Sequence, residues 1–163
     1  MSRARIEDVW PLSPLAEGLL FHADFADQGP DVYVSHRVLD VSGPVDPERL
    51  KASWEVLLAR HAVLRASFQR RKSGAPMQVI ARRVALPWRV EDLSGLDPDE
   101  AEKRAEELAD AARAQRFDLG VPPLLRLVLI KLAEDRHRLV VTSHHILIDG
   151  WSMPVLMGEL AAV

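Results

Sequence analysis

The sequence predicts an α+β (mixed α/β) fold: a largely antiparallel sheet packed with helices. Three observations carry that prediction. Two strongly apolar segments, LLRLVLIKL and HRLVVTSHH, are separated only by the charged turn AEDR and read as adjacent antiparallel strands deep in a sheet. Stretches with apolar residues at helical spacing open on a capping residue followed by proline. Helices and strands are intermixed without the strict alternation that builds a doubly wound parallel sheet. With 163 residues, 48% of them hydrophobic, the chain can bury one core of ordinary size, so it is one domain or part of a larger one.

Taken in order, Ser13 and Pro14 open a first helix on which Leu15, Leu19, His22 and Ala26 recur at helical spacing, and Gly29-Pro30 ends it. VYVSHRVLDVSG, rich in β-branched residues and closed by Gly43, is a strand. Asp46 caps and Pro47 begins a second helix whose apolar stripe is Leu50, Trp54, Leu57, Leu58 and His61. AVLRASFQRRKSGAPMQVIA is a hairpin turning at Ser73-Gly74-Ala75-Pro76, and LPWRVEDLSG is a further short strand and loop. Asp97-Pro98 opens a long surface helix with a narrow stripe of Ala101, Ala105, Leu108 and Ala112 and a favourable Glu100–Arg104 pair. Gly120 and two prolines stop it before the two apolar strands. Ser152 is the N-cap expected for a last helix, WSMPVLMGELAAV, in which Pro154 comes early enough to be tolerated.

Composition excludes several function classes. A formal charge of −3 and a pI near 6.1, with basic and acidic residues interspersed, give no field for nucleic acid. The absence of cysteine removes disulfides, thiolate metal sites and thiol nucleophiles together, and fits a cytosolic chain. No stretch approaches the roughly 20 apolar residues of a membrane span, and MSRARIEDVW lacks the apolar core of a leader. A cytoplasmic protein without membrane or nucleic-acid partners is expected. The Arg70-Arg71-Lys72 run reads as a solvated hairpin tip in preference to a contact for an acidic partner.

The segment VTSHHILIDGWSM holds the chemistry-bearing residues. If Leu139 to His145 is extended, Leu139, Val141, Ser143 and His145 share one face and Val140, Thr142 and His144 the other. The two histidines therefore diverge, so one works and the other supports. A metal would need them to converge, which alternation forbids, and no third nitrogen or sulfur ligand stands nearby in sequence, so no metal is expected. Two readings stay open at this point. One is a strand end with two satisfied histidines and an aspartate capping the next turn. In the other, His145 faces a cleft where an imidazole can accept or hold a proton. Gly150 would then let the backbone turn tightly or approach a ligand. A buried Asp149 would need a cationic partner, for which Arg60 and Arg65 in RHAVLRASF are the candidates. Both arginines are equally well explained as charges near a helix C-terminus and a strand start.

Four motifs in order carry a family resemblance. SHHILIDGWS resembles the His-His-x-x-x-Asp-Gly signature of the condensation domains of nonribosomal peptide synthetases and of their relatives with the chloramphenicol-acetyltransferase-like fold. RHAVLRASF is similar to their Arg-His-Glu-x-Leu-Arg motif, with Ala62 in place of glutamate. PLSPLAEGLLFH looks like their opening motif, in the version of domains that take a D-configured donor and an L-configured acceptor, and RFDLGVPPLLRLVLI resembles their Phe-Asp-Leu to Pro-Leu-x-Arg segment.

The resemblance implies two similar halves facing each other across a tunnel, with residues 1–163 forming the N-terminal half and the C-terminal half absent. It implies amide formation between a donor thioester and an acceptor amine, each carried on the phosphopantetheine of a peptidyl carrier domain, beside an adenylation domain. No cofactor would be bound directly. In this reading His145 is catalytic, as general base or as the group that positions the amine. His144, Asp149, Gly150, Arg60 and Arg65 support it, Asp149 pairing with an arginine, while His22, Trp151 and Ser152 are candidates for the substrate side. Three rivals remain: a coenzyme-A-dependent acyltransferase of the same fold, an epimerisation domain sharing the histidine motif, and a non-catalytic interaction module. Cyclisation domains, which replace these histidines with an aspartate, fit poorly.

Overall fold

The computed structural model describes residues 6–25 and 31–162. In chain order the elements are β1 (Ile6–Trp10), α1 (Pro14–Phe25), β2 (Val34–Ser42), α2 (Pro47–Arg60), a 3-10 turn (Ala62–Arg65), β3 (Ala66–Arg70), β4 (Pro76–Ala81), β5 (Trp88–Asp92), α3 (Pro98–Ala114), β6 (Leu125–Ala133), β7 (Arg136–His144) and α4 (Ser152–Ala161). The strands form two sheets, a three-stranded one in the order β1-β4-β3 and a four-stranded one in the order β2-β7-β6-β5. Every pairing is antiparallel except β5 with β6. Parallel neighbours need a crossover connection, and α3 supplies it.

Local chemistry sets the element starts. Asp46 accepts the amides of Glu48 and Arg49 at 2.9 and 3.1 Å, Asp97 accepts that of Asp99 at 3.0 Å, and the Ser13 hydroxyl accepts that of Ala16 at 3.2 Å. Each satisfies amides that the first helical turn leaves unpaired, and proline follows each cap. Gly43 after β2 and Gly74 in the β3–β4 turn have φ of 95° and 85°, a region that costs glycine least.

The four-stranded sheet is covered on both faces, which is why β6 and β7 read as nearly continuous apolar runs. Leu139 and Val141 of β7 join the main core with Leu125, Leu127, Trp54, Leu57, Leu58 and the buried residues of α1 and α4. Val140, between them, joins a second core made with Val128, Ile130 and the Ala101, Ala105, Leu108 and Ala112 stripe of α3. Strand alternation thus divides a single segment between two layers.

The expected fold class is observed, with differences in detail. α1 buries Ala16 and Leu20, with Leu12 just ahead of it, whereas Leu15 is 68% exposed and His22 is exposed. Two apolar stripes run along this helix, and the sheet takes the one that includes the residue before its cap. Ala62–Arg65 is a 3-10 turn where a strand was expected, and Pro76 begins β4 where it was assigned to the turn. Arg104 pairs with Glu107 at 2.8 Å instead of Glu100; both spacings place partners on one helix face. Ala26 and the Gly29-Pro30 stop lie outside the described residues.

Candidate active site

β7 delivers the histidine pair to the edge of an open cleft. His144 is its last residue and is fully buried; His145, one step on, is exposed. The divergence is the one that alternation dictates. The main-chain ladder to β2 runs one residue beyond the strand, since the His145 amide donates to the Tyr33 carbonyl at 2.8 Å. The chain then turns, the Leu147 amide donating to the His144 carbonyl at 3.0 Å, and tucks Ile146 and Leu147 into the main core. That anchors the backbone of His145 on both sides and leaves its ring at the surface.

The cleft has a volume of about 510 Å³ and is open on one side. The start of α1 gives it Ser13, Leu15 and Leu19; the end of α2 and the following turn give it His61, Val63 and Leu64; the turn after β7 and α4 give it His145, Trp151, Ser152 and Val155. Its walls are mostly apolar, with few polar groups converging, the usual make-up of a small-molecule site. The side of α1 that the core leaves out thus becomes a wall. Trp151 and Val155 are 88% and 61% exposed there.

His144 is built to support. Its Nδ1 accepts the Ile146 amide at 3.0 Å, which leaves the ring proton on Nε2, 3.3 Å from a carboxylate oxygen of Asp31. Burial holds its pKa below the ordinary histidine value, outweighing the opposing pull of Asp31, with the charge of His145 acting in the same direction as burial. The ring stays neutral at neutral pH. Tyr33 and Phe117 lie against it, with ring centroids 6.3 and 6.5 Å away.

The remaining expected site residues separate into three groups. Trp151 and Ser152 line the cleft with His145. Arg65 stays with the end of α2, while Arg60 reaches across to α4. Buried Arg65 donates to the Leu58 and Ala59 carbonyls at the C-terminus of α2, to the Ala81 carbonyl of β4, and to Glu7 of β1 at 3.1 Å. Arg60 and His61 both meet Glu159 of α4, at 3.0 and 2.8 Å, and the His61 hydrogen bond, followed by that of Arg60, holds the Glu159 carboxyl below its usual value. His22 is outside the cleft, its ring 6.0 Å from that of Tyr33.

Three expectations need correction. Asp149 does not pair with an arginine: it is exposed, and its Oδ1 accepts the Ser152 amide at 2.8 Å and the Ser152 hydroxyl at 2.7 Å. These two bonds hold its carboxyl below the ordinary value. An exposed carboxylate needs no buried countercharge, and Arg65 is already committed to the end of α2. Ser152 is the first residue of α4 and not its cap, and its own amide donates to Asp149. Gly150 has nothing within 4 Å of the position a Cβ would take among the described residues and no left-handed φ, so no strained turn of this chain requires glycine there.

Sequence reasoning missed Asp31, Tyr33 and Glu159, and took His61 only as the end of a helix stripe. No cluster of three potential metal ligands occurs among the described residues. Nor is any helix among them long and apolar enough to cross a membrane.

Comparison with known proteins gives these features a family. A profile of the condensation domain matches residues 6–163. The chain is 35% identical over 161 residues to bacitracin synthase 3 of Bacillus licheniformis, covering 99% of this chain and 2% of that protein. It is 34% identical over 159 residues to bacitracin synthase 1 of the same organism, covering 98% of this chain and 3% of that one. Among solved structures, the first condensation domain of the calcium-dependent antibiotic synthetase, in complex with a substrate analogue, superposes with a TM-score of 0.84 at 25% identity, over 95% of this chain and 37% of that domain. The chain thus spans a small fraction of these synthetases and about a third of the solved domain. The profile match over nearly the whole length, together with the shared fold, places this chain in the condensation-domain family.

Proposed function

We propose that the chain is the N-terminal half of a condensation domain that forms an amide bond in nonribosomal peptide synthesis. The donor and acceptor arrive on the phosphopantetheine arms of two peptidyl carrier domains, and the C-terminal half of the domain supplies the other wall of the cleft. An adenylation domain loads the acceptor carrier. The protein works in the cytoplasm, binds no cofactor of its own, and takes a D-configured donor with an L-configured acceptor.

The observation that carries the reading is the divergence of the histidine pair: His144 buried, His145 exposed on a 510 Å³ cleft with apolar walls. In the coupling step the acceptor nitrogen attacks the thioester carbon, a C–N bond forms, the C–S bond breaks, and the amine loses a proton while the departing thiolate gains one. The His145 imidazole hydrogen-bonds the attacking amine, which holds it in line with the carbonyl and takes up its proton as charge develops. Apolar walls lower the local dielectric and favour the uncharged amine. The open side of the cleft suits a site whose two substrates enter on long flexible arms.

The test is single-turnover coupling between two loaded carrier domains by the complete domain containing this chain. His145→Ala should lower the rate by about 10²–10⁴-fold with both substrates still bound. Coupling at the native rate rejects the role of His145. Supplying D- and L-configured donors in the same assay tests the stereochemical subtype, a faster D-donor reaction being the expected result.

A further inference from the structure

We propose that Asp31 is a positioning residue for His145, acting on the main chain on either side of it through Tyr33 and His144. This rests on the reading of His145 as the group that meets the amine. Asp31 lies just before β2 with its side chain only 9% exposed, and the two oxygens of its carboxylate do different work. Oδ1 accepts the Tyr33 amide at 3.0 Å, and the Tyr33 carbonyl in turn accepts the His145 amide at 2.8 Å. Oδ2 stands 3.3 Å from Nε2 of His144, whose Nδ1 accepts the amide of Ile146 at 3.0 Å. The Asp31 carbonyl also accepts the Val34 amide at 3.2 Å, which fixes the carboxylate relative to the strand.

Two chains of contacts thus leave one carboxylate and end on consecutive amides, those of His145 and Ile146. The second works only with the His144 proton on Nε2, because Nδ1 must be an acceptor. A negative charge beside Nε2 favours that tautomer. The ring of His144 has no exposed surface, and its Nε2 makes no hydrogen bond among the described residues, so the Asp31 carboxylate 3.3 Å away acts on it through its charge. Asp31 never reaches the cleft, yet it sets the backbone from which the His145 ring projects, and reaction rate falls steeply when a reacting group is displaced by a fraction of an ångström to an ångström.

Asp31→Asn tests this with an isosteric side chain. Asparagine has only one acceptor atom: if its oxygen keeps the Tyr33 amide, its NH₂ group faces the Nε2 proton of His144. In the complete domain containing the chain, the variant should lower kcat for coupling by between about ten- and a hundred-fold per folded molecule, with KM for the loaded carriers changed by less than about twofold. Long-range ¹H–¹⁵N spectra of histidine-labelled protein read the tautomer directly. The native domain should show His144 protonated on Nε2 alone, and Asp31→Asn should show the Nδ1–H form gaining population. A native His144 carrying its proton on Nδ1 overturns the proposal even if the variant fails to fold. So does a variant with native kcat, or one whose loss of activity only follows its loss of folded protein. The two readings separate: a His145→Ala domain that couples at the native rate removes the functional reading and the positioning role with it. An inactive His145→Ala domain beside a fully active Asp31→Asn domain removes the positioning role alone.

Discussion

The two faces of the four-stranded sheet put apolar residues to different uses. Under α3, every residue of the Ala101, Ala105, Leu108, Ala112 stripe is buried against Val128, Ile130 and Val140, and the outer face of that helix is charged. On the opposite face, α1 and α4 each carry two apolar sides. Leu12, Ala16, Leu20, Met153 and Leu156 close the core, while Leu15, Trp151 and Val155 stay in the open and line the cleft beside His145. The helices on the two faces thus differ in purpose: one side of the sheet is finished as a core, the other is left as a binding wall. A surplus of apolar residues around a helix, beyond what one buried stripe needs, marks the functional side.

The difference can be broken from either face. The largest expected effect is on the α3 side, where Ile130→Ala should cost about 2–5 kcal/mol in denaturant unfolding, since Ile130 is fully buried, with kcat per folded molecule unaltered. A cost within about 0.5 kcal/mol would show that this layer is not packed as described. An intermediate effect comes from pH at the boundary of the two faces. The folded pKa of His144 lies below the unfolded value of 6.5, so the unfolded chain binds more protons between the two values. The stability this group contributes is fully present above pH 6.5 and is lost as pH falls from there toward the depressed folded value. His36, lowered chiefly by burial and then by the nearby Arg113 charge, adds a slope of the same sign. Unfolding midpoints measured between pH 7.5 and 5.5 should therefore fall, and should fall less in His144→Asn, whose Oδ1 can replace Nδ1 as acceptor for the Ile146 amide. Equal slopes in the two proteins would remove His144 from the account. The smallest stability effect belongs to the cleft wall: Leu15→Ser, at a position 68% exposed, should change unfolding by no more than about 0.5 kcal/mol while raising KM for carrier-bound substrate. A large loss of stability there would mean that Leu15 belongs to the core.

What could be read from the sequence followed from short-range rules. Asp46-Pro47 and Asp97-Pro98 marked two helix starts because capping is settled within four residues. The apolar density of β6 and β7 marked the centre of the sheet, and period-two alternation separated the buried His144 from the exposed His145. What escaped depends on pairings between distant segments. The parallel placement of β5 is fixed by where α3 returns the chain. The choice between two apolar stripes on α1 is made by which one the sheet covers. Asp31 is an ordinary polar residue until β2 lies against β7 and brings it to His144. The partner of Asp149 was misjudged because the sequence does not say that the carboxylate stays in solvent, where a nearby amide and hydroxyl suffice.

The central claim, that one histidine of the pair faces the reactants and the other holds the frame, is open to direct chemical labelling. Diethyl pyrocarbonate modifies accessible neutral imidazoles, and mass spectrometry locates the adducts. Applied to the complete domain, it should label His145 readily and His144 not at all before unfolding, with coupling activity lost in proportion to the His145 adduct. Labelling of His144 ahead of His145, or full coupling after complete modification of His145, would contradict the account.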